Sequence, residues 1–63
     1  MDADRFNMSM RKFLKQVGVT AQQAIEDGVR NSPGAAGRIK IRAVITAPDI
    51  GLEHVVDGEI ELS

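Results

Sequence analysis

From Arg38 to Ala47 the chain alternates: Ile39, Ile41, Ala43 and Ile45 interleave with Arg38, Lys40, Arg42 and Val44. A second alternating run follows, in which Val56, Gly58, Ile60 and Leu62 interleave with Val55, Asp57, Glu59 and Glu61. A period of two marks strands with one apolar and one wet face. The two runs therefore predict an antiparallel hairpin over residues 38–63. Placing Ile41 opposite Ile60 puts Ile39 on Leu62, Ala43 on Gly58 and Ile45 on Val56, with Lys40 facing Glu61 and Arg42 facing Glu59. A slip of one residue would set apolar against charged side chains, so the pattern excludes it. Ala47-Pro48-Asp49-Ile50-Gly51-Leu52 makes the link, with Pro48 and Asp49 suited to open a turn and Gly51 to a positive φ. Asp57-Gly58 is a competing turn signal, read as a bulge or kink within the second strand.

The N-terminal half has a helical period. Phe6, Met10, Phe13, Leu14 and Val17 share one face, opposite Arg11, Lys12 and Lys15. Asp2 or Asp4 is available to cap the start, and Gly18 stands where a helix end favours glycine. Thr20-Ala21-Gln22-Gln23 then has the form of a capping box. These signals predict a first helix ending near Gly18 and a second from about Ala21 to Arg30, with Ala21, Ala24, Ile25, Gly28 and Val29 on its apolar face. Residues 1–5 are expected to be frayed, 6–30 to form a helical hairpin and 31–37 (NSPGAAG) a flexible loop. The predicted fold is α+β in one domain, residues 1–63: two short helices packed on one face of a two-stranded antiparallel hairpin, in the order α-α-β-β.

Two blocks, Phe6–Glu26 (FNMSMRKFLKQVGVTAQQAIE) and Gly51–Leu62 (GLEHVVDGEIEL), resemble a family of short bacterial proteins catalogued only as a domain of unknown function. The resemblance covers roughly half the chain. It implies a small stand-alone α+β protein of the bacterial cytoplasm, and it brings no activity, substrate or catalytic residue.

Size then narrows the function classes. With 63 residues, a domain buries only about 60% of its unfolded surface and often needs a staple. There is no cysteine and one histidine, so neither disulfides nor a histidine-rich metal cluster is expected. Self-association is the remaining staple, and a homodimer is expected. Val44 and Val55 interrupt the charged face of the hairpin, and Met8, Ile50 and Leu52 are further apolar candidates for its interface or for an unknown protein partner. Both edges of a two-stranded sheet are also open to pairing.

The net charge of −1 gives no global pull toward nucleic acid or anionic lipid. No run is long enough to span a membrane, and the acidic N-terminus does not resemble a secretory leader; the expected location is the cytoplasm. Locally, Arg11, Lys12 and Lys15 form a basic face that suits an anion. With Gln22 and Gln23 at the start of the second helix, segment 13–30 has the outline of a DNA-binding helix-turn-helix. Glu26 and Asp27 on that helix would repel phosphate, so nucleic acid is the disfavoured partner and a DNA-binding regulator the alternative reading. His54 lies near Asp49 and Glu53, without a serine or cysteine nucleophile nearby in sequence. Glu53, Asp57, Glu59 and Glu61 share one strand face, with Asp57 the one expected to lack a cross-strand partner. No cofactor or catalytic role is expected of these groups. The leading expectation is a non-enzymatic interaction or accessory protein, working as a homodimer.

Overall fold

A computed structural model describes residues 1–63. The elements are a single helix α1 (Ala3–Arg30), strand β1 (Arg38–Ala47), a 3-10 turn (Pro48–Ile50) and strand β2 (Leu52–Glu61). The chain divides into two units, Met1–Pro33 and Gly34–Ser63.

The α+β class stands, but the two short helices are replaced by one of 28 residues. At 1.5 Å per residue it is about 42 Å long. It starts at Ala3, so residues 3–5 form its first turn. Asp2 is the cap, its Oδ1 accepting from the backbone N–H of Asp4 at 3.0 Å and of Arg5 at 3.1 Å. Neither signal for a break at 18–20 takes effect. Gly18 has no positive φ, and a glycine in mid-helix costs only about 1 kcal/mol against alanine. Thr20 does not cap: its hydroxyl donates backward to the Gln16 carbonyl at 2.8 Å, the bond a threonine makes inside a helix. The apolar phase explains the continuity. Leu14 and Val17 run on through Ala21, Ala24, Ile25 and Gly28 at spacings of three and four, so an unbroken helix keeps them on one stripe. The helix ends at Asn31, whose N–H donates to the Asp27 carbonyl at 3.0 Å, and Pro33 prevents its return.

β1 and β2 pair antiparallel over their whole length. The faces are as the alternation predicts, and the register differs by two residues. Ile41 lies opposite Gly58, Ile39 opposite Ile60, Ala43 opposite Val56 and Ile45 opposite His54. A shift of two leaves every side chain on its own face, so alternation cannot discriminate between the two registers. The turn does. Pro48 begins the 3-10 turn, the Gly51 N–H donates to the Pro48 carbonyl at 3.2 Å, and Gly51 takes φ 62°. This closes the hairpin in four residues, with Ala47 and Leu52 as the last pair. Gly58 is a paired residue within β2 and not a turn. At the open end the Leu62 N–H donates to the Gly37 carbonyl at 2.7 Å, next to the other left-handed glycine, Gly37 at φ 72°.

No side chain in the chain is buried. The best shielded residues, including Val17, Ile25, Ile39, Ile41, Ile45 and Ile60, reach only an intermediate state.

Candidate interaction surfaces

The helix carries the larger apolar surface. Phe6, Met10, Phe13, Leu14, Val17, Ala21, Ala24, Ile25 and Gly28 form its stripe, and Phe6 and Phe13 are 48% and 53% exposed. Side-chain bulk is graded along it. The N-terminal half presents Phe6, Met10 and Phe13, and the C-terminal half presents Ala21, Ala24 and Gly28. Gly28 has open space where a Cβ would stand.

Charge is graded in the same direction. Arg11, Lys12 and Lys15 lie in the first half and make no ion pair, while Arg5 reaches back to Asp2 at 3.8 Å. A shallow depression lined by Lys12, Lys15, Gln16, Val19 and Thr20 lies along this polar side. In the second half Gln22 and Gln23 donate to Glu26 at 3.2 Å and to Asp27 at 3.5 Å, each one turn on. Asp27 also binds Arg30 at 3.0 Å. The two glutamines are thus held beside carboxylates, away from the three free cations. A helix-turn-helix needs a turn between two helices, and segment 13–30 is one uninterrupted helix. Met8 lies on the polar side of α1, among these basic residues and apart from the apolar stripe, and is exposed.

On the hairpin, one face carries Ile39, Ile41, Ile45, Val56 and Ile60, together with His54 near the turn. The other carries a ladder of charge. The register shift changes its partners: Arg42 binds Asp57 at 2.6 Å, and Arg38 reaches both Glu59 at 3.6 Å and Glu61 at 3.5 Å. Asp57, expected to lack a partner, has the shortest ion pair in the chain, while Lys40 has none. Beyond the ladder, Val44 sits directly opposite Val55, and they are 58% and 50% exposed. Such a cross-strand apolar pair stiffens the hairpin near its turn and gives the charged face an apolar end. Ile50 projects at the turn, 76% exposed, with Leu52 at the start of β2. The sequence-predicted hairpin residues Val44, Val55, Ile50 and Leu52 therefore cluster around the turn end.

No group of three or more histidine, cysteine, aspartate or glutamate side chains is arranged to hold a metal ion. No helix is long and apolar enough to cross a membrane. Two open depressions on the hairpin are lined by Lys40, Ile41, Arg42, Asp57, Gly58 and Glu59, and by Thr46, Pro48, Gly51, Leu52 and Glu53. What the sequence reading missed was the length of the helical stripe. The unbroken three-and-four spacing from Phe6 to Gly28 was the signal for it.

These features define a protein made of one long amphipathic helix and a two-stranded hairpin, each with an apolar face. The chain belongs to a family of unknown function (DUF6494), which it matches over residues 1–63. Searches of curated proteins and of solved structures find no match to it.

Proposed function

We propose that the protein is a small non-enzymatic interaction module that works as a homodimer in the cytoplasm and binds a macromolecular partner. One observation carries this reading: a chain with a long apolar stripe on its helix and an isoleucine face on its hairpin buries no side chain of its own. An amphipathic helix gains most of its stability from packing its apolar face, and a lone two-stranded hairpin is marginal in water. Both gain from burying those faces against another chain, at about 25 cal/mol for each Å² of apolar surface removed from water. A second copy is always present at matching concentration, which favours it as the first partner. The charged groups favour binding over catalysis, since Asp57, Glu59 and Glu61 are engaged with arginines across the sheet and His54 faces Ile45. The test is sedimentation equilibrium from low to high micromolar protein. Twice the chain mass is expected; a single-chain mass throughout would refute the homodimer.

A further inference from the structure

We infer that the occupant of the α1 stripe is the α1 stripe of a second copy, laid antiparallel with Val17 at the two-fold axis. This rests on the homodimer reading and specifies how the two chains meet. The stripe is complementary to itself in one direction only. With Val17 facing its own copy, an antiparallel helix sets Phe13 against Ala21, Met10 against Ala24 and Phe6 against Gly28. Each bulky side chain then meets a small residue, and Gly28 leaves open space at the level of the partner's phenyl ring. Interdigitation of large with small side chains is what dense packing requires. A parallel pair would instead place Phe6 on Phe6 and Phe13 on Phe13 at one end, and leave Ala21, Ala24 and Gly28 facing one another at the other.

Charge selects the same direction. Antiparallel pairing brings Asp27, near the edge of the stripe, to the level of Asn7 of the second copy, within one turn of the Arg5 that lies toward the same edge. Parallel pairing would instead set Arg5 level with Arg5 and Asp27 level with Asp27, and like charges oppose association. A two-fold interface in which each patch serves both chains is the commonest form of a homodimer. Met8 and Lys15 lie away from the seam, so the basic side of the helix stays accessible in the dimer.

Two single-cysteine variants, Met8→Cys and Gln16→Cys, test this in a chain that has no cysteine of its own. Each would be spin-labelled and the distance between the two chains measured by pulsed electron resonance, with the mass of the labelled protein checked in parallel. Gln16 lies one residue from the axis, so its two labels stand almost level. The two Met8 positions stand about 27 Å apart along the helices, from nine residues on each side at 1.5 Å each. A short Gln16 distance with a Met8 distance longer by about 15–25 Å is expected. Equal short distances at both sites mean a parallel pair and overturn the inference. Long distances at both sites, in protein of dimeric mass, place the contact on the hairpins; they overturn the inference and leave the homodimer standing. A single-chain mass overturns both. A size swap gives an independent reading. Ala24→Met should weaken association about tenfold or more by overpacking the seam, and the double variant Met10→Ala/Ala24→Met should recover most of that loss, since the two sites face each other across the antiparallel pair. A double variant weaker than either single one would contradict the arrangement.

Discussion

Replacing Gly18 by alanine separates one helix from two by the sign of its effect. In the continuous helix Gly18 has ordinary helical geometry, and an added Cβ meets nothing within 4 Å. Alanine there removes the conformational freedom glycine has in the unfolded chain and adds no clash, so Gly18→Ala should stabilise by about 0.5–1 kcal/mol. If Gly18 ended a first helix in the left-handed conformation, alanine would be strained and would destabilise by about 1 kcal/mol. The position sits at the rim of the apolar stripe, so a methyl group should not obstruct a seam formed there. The assay is urea denaturation followed by circular dichroism at matched protein concentration, with the thermal midpoint as a second readout. For a chain of this size 1 kcal/mol corresponds to about 4–8 °C, so an increase of about 2–8 °C is expected together with undiminished helical signal. A fall in midpoint would refute the continuous helix, because no other feature around Gly18 penalises a methyl group.

Two further predictions concern the hairpin. Gly51 takes φ 62° in the turn, so Gly51→Ala should cost about 1 kcal/mol in the same assay, and Gly51→Asn less, since asparagine tolerates the left-handed region; equal costs would place the origin outside the backbone. The register predicts coupling between Arg42 and Asp57, 2.6 Å apart, and not between Arg42 and Glu59. Both side chains are well exposed, so a double-mutant cycle to alanine should give only about 0.2–1 kcal/mol for Arg42–Asp57. A larger coupling to Glu59 would favour the register offset by two.

The faces of the hairpin were legible because alternation assigns each residue to a side without reference to its partner. The partners were not legible from alternation, because Ile39, Ile41 and Ile45 keep their faces in registers two residues apart; the observed register sets three basic residues against acidic ones and Val44 against Val55, where the other sets two and leaves Val44 against Asp57. What decides is the geometry of Pro48–Gly51, and a four-residue closure is a property of backbone angles more than of residue type. In the helix, the local signals at Gly18 and Thr20 competed with a longer one. Capping residues stabilise an end only where the chain has reason to end, and the apolar spacing from Leu14 through Val17 to Ala21, Ala24 and Ile25 gave it reason to continue. The candidate surfaces divide in the same way: Val44 and Val55 could be assigned to the outer face from parity alone, whereas their direct opposition follows from the register. The outline of a DNA-binding motif depended wholly on the turn at 18–20 and goes with it.

If the apolar faces of this protein are buried between chains, folding and association are coupled. Urea unfolding monitored by circular dichroism over a hundredfold range of protein concentration should give a midpoint that rises with concentration, each tenfold step adding about 1.4 kcal/mol of apparent stability per dimer. A midpoint that does not move with concentration, in protein that sediments as a single chain, would show that the apolar faces are not buried between chains.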